Sequence, residues 1–451
     1  MERKELILNS VEKNKNLILD AERWLWAHPQ TGYTEWQAHE YLAEKFVELG
    51  YEITPAGNIP GFYTDVDTGK EGPTLYIMGE LDALDIANHR EAVDGMSHAC
   101  GHHAQVSSLL GIAAALKEDG MLDGMCGKIR LIAVPAEEMI QLDYRESLLQ
   151  KGEISYMAGK VELMRRGFFN ERGLAVMIHT NTNNDGIEFK ASLGYHGCIL
   201  KTIKYKGVAS HAGCAAHLGV NAEYAAMLGL QACNDLRETF IDSERTKFHP
   251  IMKGVQSSVN IIPDEMVLES YVRSKTLGGM IRENKKINRA LAGAAAALGA
   301  SVELHDRHGS SPEYHDKNLM ELAEECCAKL VGKDKVEFTY DAWGSSCSDF
   351  GDITAVMPGL QFNAAGALGD CHTVHFTMTD PWRFCKNSAA AQLLIAYELL
   401  KNDAENAERI ITNYKPVFES VDDYFKTVGS ISLDCDAVKY NDDGSVIINC
   451  T

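Results

Sequence analysis

The hydrophobic positions of this chain change their period along its length. Apolar side chains recur at helical spacing over residues 8–28, which predicts one long amphipathic helix. Further on, short apolar runs alternate with helical stretches, and the runs at 74–78, 128–134, 174–178 and 360–363 predict strands. Strands separated by helices indicate an α/β fold whose sheet is mostly parallel.

The middle of the chain has a different pattern, in which strand-like alternation surrounds two helical stretches. The expected elements are, in order, strand 195–205, helix 220–236, strand 255–262, strand 266–274, helix 277–298 and strand 301–306. The order β-α-β-β-α-β is that of a small α+β domain. We therefore predict a large domain in two parts, an inserted domain and a C-terminal extension. Their expected ranges are 1–190 and 311–400 for the large domain, 191–310 for the insertion and 401–451 for the extension.

The composition argues against several classes of protein. The chain of 451 residues has 43 Lys and Arg against 64 Asp and Glu, a net charge of −21. This acidic balance argues against nucleic-acid partners and against adhesion to anionic membranes. No apolar run reaches the roughly 18 residues of a membrane span, and the first residues lack the apolar segment of a signal peptide. We therefore expect a cytoplasmic protein whose 12 cysteines form no disulfide framework.

One short segment, residues 97–103, concentrates side chains that bind metals. It contains Cys100 and three histidines, among them His102 and His103. Thiolate and imidazole are preferred ligands of Zn²⁺ and similar ions. Because Gly101 permits a tight turn, the side chains of Cys100 and His102 can reach one ion. The alternative is a helix-capping loop that happens to be rich in histidine.

Three further groups each follow a predicted strand of the large domain. They are the pair Glu137 and Glu138, then His179, and late in the chain His372 with His375. Each alone could be a solvated acid or a structural histidine. In open α/β sheets, however, active sites form beyond the carboxyl ends of the strands, so we expect the groups to share one site.

The number of donors exceeds what one closed tetrahedral site accepts. It suits two neighbouring ions that share ligands and activate a water between them. One carboxylate of the Glu137–Glu138 pair can bind an ion while its neighbour transfers protons. The predicted reaction is hydrolysis of an amide or ester.

Four motifs resemble one known family. They are HPQTGYTE at 28–35, GELDAL at 79–84, HACGH at 98–102 and the pair Glu137-Glu138. All four are similar to motifs of the dinuclear-metal amidohydrolases and exopeptidases, a family that includes aminoacylases, auxin-conjugate hydrolases and aminobenzoyl-glutamate hydrolase. The resemblance implies that the large domain is catalytic and that the insertion is a lid that dimerises.

The resemblance also implies a role for each motif residue. The metal ligands would be Cys100, His102, Glu138, His179 and His372. Glu137 would be the general base. The cofactors would be two divalent ions, namely zinc, manganese or cobalt.

Segments of the insertion resemble the family's lid. In SHAG at 210–213, His211 would stabilise the oxyanion, from the partner subunit of a homodimer. Asn260 and Arg273 would hold the carboxylate of the substrate. Three features depart from the family: His103 replaces an acidic or amide residue, an unusual segment occupies 139–155, and the tail beyond 400 has no recognised counterpart.

We therefore predict metal-dependent hydrolysis of a small N-acyl amino acid, aryl-glutamate or dipeptide. One alternative is a dipeptidase that requires a free substrate amine. Another is a catalytically silent metal-binding scaffold of the same fold. A third is a hydrolase in which the thiol of Cys100 is the nucleophile.

Overall fold

The computed structural model describes residues 2–182, 185–254, 258–418 and 420–449. The chain forms two compact units. The first consists of Met1–Gly194, Glu313–Gly344 and Asp349–Phe418, and the second of Tyr195–Pro312, Ser345–Ser348 and Glu419–Thr451. The segment 401–451, predicted as one extension, is therefore divided between them.

The first unit is built on a mixed sheet that has eight strands over the described residues. In spatial order they are Thr54–Pro55, Phe62–Asp67, Lys128–Val134, Thr74–Glu80, Gly173–Asn181, Gly359–Ala365, Phe189–Ala191 and Val336–Phe338. The four strands from Lys128–Val134 to Gly359–Ala365 run parallel, and they are the four that the apolar runs predict. The expected mostly parallel sheet is confirmed.

Helices cover this sheet. Those of the first unit are Arg3–Lys13, Lys15–Trp26, Trp36–Glu48, His102–Leu116, Leu142–Gln150, Gly159–Arg165, Lys317–Val331, Phe350–Thr354 and Pro381–Asn413. The last of them is interrupted at 401–404, where the backbone is not helical. The prediction of one helix over 8–28 is wrong, because the chain breaks at Asn14 between two helices. The Asn14 side chain donates to the Ser10 carbonyl (2.9 Å), a local bond that competes with helix continuation.

The helix His102–Leu116 is buried on all sides. It lies so close to the sheet that a Cβ at Gly79 would sit 2.9 Å from the Val106 side chain. Because the helix begins directly after Gly101, its packing fixes where the segment 97–103 lies. The core of the first unit therefore determines the position of this metal-binding motif.

The second unit contains an antiparallel sheet. Its strands are, in order, Lys247–Phe248, Glu265–Ser274, Gly197–Lys206, Ser301–Ser310 and Leu433–Asp436, and Ile251–Gly254 also pairs with Glu265–Ser274. The helices Ala222–Asp235 and Leu277–Ala297 pack on it. Of the predicted strand 255–262, residues 255–257 lie outside the described residues and only Ile261–Ile262 is a strand.

The end of the chain is part of the second unit. Leu433–Asp436 adds an edge strand to the sheet by pairing with Ser301–Ser310. The preceding helix, Val421–Gly429, buries Tyr424. A hairpin of Val438–Tyr440 and Val446–Ile448 follows.

Among the described residues, no helix combines the length and hydropathy that crossing a bilayer requires.

A substitution at Gly173 tests how closely the central strands pack. A Cβ there would lie 2.0 Å from the Thr74 carbonyl oxygen of the neighbouring strand. We expect Gly173→Ala to lower the free energy of unfolding of the first unit by about 1–3 kcal/mol. All five tryptophans belong to that unit, so urea unfolding followed by tryptophan fluorescence measures it.

The matched control is Gly293→Ala in the helix Leu277–Ala297, where the added Cβ meets no atom within 4 Å. It should leave the tryptophan transition unchanged. An unchanged transition for Gly173→Ala would contradict the described contact between the strands.

Candidate metal centre and active site

The carboxyl ends of the parallel strands carry the predicted chemistry. Glu80 ends the strand Thr74–Glu80, and His179 lies near the end of Gly173–Asn181. Glu137 and Glu138 follow Lys128–Val134. The sheet therefore brings together side chains that are far apart in the sequence, as expected for this architecture.

The five predicted ligands form two overlapping groups. Cys100, His102 and His179 offer ligand atoms within 4.8 Å of one another, and so do Cys100, Glu138 and His372. Cys100 belongs to both groups, and its Sγ lies 3.3 Å from His179 Nε2. This arrangement suits two ions that share a thiolate. His375, the other late histidine, is in neither group.

His102 is oriented by Asp82. His102 Nδ1 lies 2.9 Å from the Asp82 carbonyl oxygen and 3.1 Å from its Oδ1, so Nδ1 donates and Nε2 faces the cluster. The other Asp82 oxygen accepts from the Glu138 backbone N–H (2.8 Å). Burial lowers the pKa of His102, but Glu80 and Asp82 outweigh it and raise that pKa well above its usual value.

The remaining ligands have environments that suit a cation. Burial and the neighbouring His102 lower the pKa of His179 to about 4, so its imidazole is neutral, as a ligand must be. Glu138 Oε1 lies 3.0 Å from His372 Nε2. Burial raises the pKa of Glu138, but His372 outweighs it and lowers that pKa.

Two buried atoms support a metal directly. Over the described residues, His102 Nε2 and Glu138 Oε1 are inaccessible to water and make no hydrogen bond. Each lies close to another possible ligand atom, His102 Nε2 to Glu80 Oε2 (3.2 Å) and Glu138 Oε1 to His372 Nε2 (3.0 Å), without the geometry of a hydrogen bond. Each belongs to one of the two ligand groups. The donor set of thiol, imidazole and carboxylate therefore fits divalent ions.

Glu137 has the properties of a proton acceptor. Its side chain is partly exposed beside the ligands. Burial, with the nearby Glu80 and Glu138, raises its pKa well above the usual value for a carboxylic acid. Such a shift brings a carboxylate towards the pH at which general bases work.

Two buried charged residues hold the turn that carries Glu137. The turn begins at Ala136, whose φ of 57° is left-handed, and the Ala136 N–H donates to Glu35 Oε1 (2.7 Å). Arg145 donates to the carbonyls of Ala136 (3.2 Å) and Glu138. Arg145 comes from the unusual segment 139–155, which forms the helix Leu142–Gln150. Glu35 is the last residue of the motif HPQTGYTE and Arg145 lies in the segment 139–155, but neither position predicted a bond to this turn.

His103, the departure from the family motif, faces away from the ligands. Its Nε2 lies 3.2 Å from Glu22, and its ring packs edge-on against Trp26. It belongs to neither ligand group. His103 therefore contributes to the packing of the helix His102–Leu116 against the helix Lys15–Trp26.

The predicted substrate-binding residues belong to the second unit. His211 Nδ1 accepts from the backbone N–H of Gly213 (3.1 Å), and the next residue, Ala212, donates to the Asn260 carbonyl (2.9 Å). His211 and Asn260 are therefore neighbours, and both are exposed. Arg273 lies on the strand Glu265–Ser274 with its guanidinium 3.9 Å from the Tyr271 ring centroid. The roles of these three residues stay predictions.

A comparison with known families decides the class of the protein. The profile described as peptidase family M20/M25/M40 matches residues 76–396, well over half of the chain. The chain belongs to this family. The resemblance drawn from the motifs is thereby confirmed.

Similar proteins agree with this membership. Xaa-Arg dipeptidase of Homo sapiens is 27% identical over 375 residues, covering 79% of this chain and 78% of the relative. N-acetyl-L-cysteine deacetylase of Bacillus subtilis is 25% identical over 396 residues, covering 83% and 85%. A solved dinuclear metal-binding M20 peptidase from Bacillus subtilis has a TM-score of 0.64 at 20% identity, covering 86% of this chain and 99% of that one.

As an M20 family member, the protein is a metal-dependent amidohydrolase. This confirms the predicted enzyme class and reaction type. The structural similarity confirms the predicted fold, a mostly parallel catalytic sheet with an inserted α+β domain. The alternatives of a silent scaffold and of a thiol nucleophile lose their support.

Gly101 tests the geometry of the ligand loop. It has a φ of 91° and separates Cys100 from His102, and its Cβ would lie 2.3 Å from the Thr180 side chain. We expect Gly101→Ala to displace both ligands and to weaken metal binding by about 10- to 100-fold. Metal titration of the apoprotein, with bound metal measured by mass spectrometry, checks this.

The control is Gly124→Ala, at a φ of 79° where a Cβ meets no atom within 4 Å. It has the same backbone strain without the contact, so it should bind metal normally. Equal metal affinity of the two variants would contradict the proposed importance of the loop.

Proposed function

We propose that the protein hydrolyses the amide bond of a small N-acyl amino acid, aryl-glutamate or dipeptide. The observation that carries this proposal is the convergence of two ligand groups on the shared Cys100, with Glu137 beside them. The names of two relatives, a dipeptidase and a deacetylase of an N-acyl amino acid, support the same size and class of substrate.

The residues that would hold two divalent ions are Cys100, His102, Glu138, His179 and His372. Bound there, the ions would lower the pKa of water and polarise the substrate carbonyl. Sulfur and imidazole ligands favour zinc, whereas a mixed site with a carboxylate also accepts manganese or cobalt. Because Cys100 must stay a reduced thiolate, we also propose a cytoplasmic location.

Glu137 would move the proton during the reaction. It takes a proton from the attacking water and passes it to the departing amine. In the second unit, His211 would donate to the carbonyl oxygen as negative charge develops there. Asn260 and Arg273 would bind the substrate carboxylate, Arg273 by a bidentate pair.

We further propose a homodimer formed through the inserted domain. The helix Ala222–Asp235 exposes Tyr224, Met227 and Leu228, whose fractional exposures are 62%, 53% and 39%. Large apolar side chains grouped on one helix face are typical of an interface between proteins. A second copy of this chain is the partner that would bury them.

A substrate panel tests the proposed reaction. The metal-loaded protein should hydrolyse at least one member of a panel of N-acyl amino acids, aryl-glutamates and dipeptides, and activity should disappear on chelation and return with zinc, manganese or cobalt. Glu137→Gln should keep both ions and lose activity by about 10²- to 10⁴-fold. Liquid chromatography of the released amine, with metal content measured on the same sample, gives both results.

Each other outcome has a clear meaning. Hydrolysis only of substrates with a free amine would favour the dipeptidase. Normal hydrolysis by Glu137→Gln would show that Glu137 is not the base. Activity that survives complete metal removal would overturn the proposed mechanism.

The dimer has its own test. Met227→Glu places a charge in the exposed apolar face and should halve the mass in solution, measured by size-exclusion chromatography with light scattering. The control is Val47→Glu, a residue of the first unit with 56% exposure, which should leave the mass unchanged. A wild-type protein that is already monomeric at micromolar concentration would contradict the proposal.

A further inference from the structure

A buried ammonium group lies next to the candidate metal centre. Lys160, from the helix Gly159–Arg165, is inaccessible to water, and its Nζ donates to Glu80 Oε1 and Asp349 Oδ1. Its backbone N–H donates to the other Asp349 oxygen (2.8 Å). Burying a lysine is unfavourable unless its charge is compensated, and Glu80 and Asp349 compensate it here.

The pairing leaves one oxygen of Glu80 for the site. Because Lys160 occupies Oε1, the other oxygen, Oε2, faces His102 Nε2 at 3.2 Å. Neither of these two buried atoms makes a hydrogen bond to any part of the chain that the structure describes. His102 Nδ1 bonds Asp82, so Nε2 is the ring nitrogen that faces the Glu80 carboxylate.

A carboxylate oxygen and an imidazole nitrogen that lie this close without forming a hydrogen bond can both bind one metal ion. The same arrangement occurs in the other ligand group, where Glu138 Oε1 lies 3.0 Å from His372 Nε2 and also makes no hydrogen bond to a described residue. Glu80, His102 and Glu137 moreover form a third group whose ligand atoms lie within 4.8 Å of one another. The surroundings of Glu80 are therefore those of a ligand.

The balance of charge between the ligands and the two ions also favours Glu80 as a ligand. The five ligands of the proposed centre include only two that are anionic, Cys100 and Glu138, against two divalent cations. Bound ions are the largest local charges in such a site, and additional anions stabilise them. The carboxylate of Glu80 would supply a third negative charge.

We propose that Glu80 is a further ligand of the ion bound by His102, and that Lys160 and Asp349 position it. This inference rests on the proposed two-ion centre. Lys160 and Asp349 are positioning residues, because they act on the ion through Glu80.

Metal binding, independent of activity, tests the ligand. We expect Glu80→Gln, titrated with Co²⁺ as the apoprotein, to bind one of two ions about 10- to 100-fold more weakly and to show an altered visible spectrum. Glu80→Asp, which keeps the charge, should lie between Glu80→Gln and the wild type. This second variant also serves if Glu80→Gln fails to fold, as judged by circular dichroism.

Lys160→Met tests the positioning role against a matched control. It should weaken binding of the same ion while two ions still bind at saturating Co²⁺. The control, Lys201→Met, removes an equally buried lysine that pairs with Asp306 in the second unit. It loses a comparable ion pair and should bind Co²⁺ as the wild type does.

The outcomes separate this inference from the proposed function. A wild type that binds fewer than two Co²⁺ ions would overturn both. A wild type that binds two, with Glu80 variants of unchanged affinity and spectrum, would overturn only the role of Glu80. Equal weakening by Lys160→Met and Lys201→Met would show a general loss of stability and would overturn the positioning role of Lys160.

Discussion

Glu80 ends a central strand, Glu138 follows the neighbouring strand Lys128–Val134, and both carboxylates are almost completely buried. Charges in such a place persist only when opposite charge lies close by. The protein supplies it with Lys160 for Glu80, and His372 contacts Glu138. The ligand groups, the turn of Glu137 and the buried helix behind them are arranged around this requirement.

The site residues that the sequence predicted are all of types that bind metals or protons. Glu138, His179 and His372 lie at or after apolar runs that become central strands, whereas Cys100 and His102 lie at the start of a buried helix. These local signals sufficed to predict that Cys100, His102, Glu138, His179 and His372 would lie together. The apolar runs likewise predicted the four parallel strands, because strands in the centre of such a sheet are apolar on both faces.

Other residues of the site could not be predicted, because their roles depend on contacts between distant segments. Glu35 accepts a hydrogen bond from the backbone N–H of Ala136, which is 101 positions away in the sequence. Lys160 donates to Asp349, which is 189 positions away. The tail gave weak signals for a similar reason. The strand Leu433–Asp436 lies at the sheet edge, and its pairing is set by Ser301–Ser310 rather than by its own composition.

Cys100 belongs to both ligand groups, so the two ions of the proposed centre would depend on a single sulfur. Oxidation or alkylation of that atom would remove a donor from both at once. Both positions of the proposed centre would then be weakened together. Chemical damage to one atom would therefore reach both ions at once.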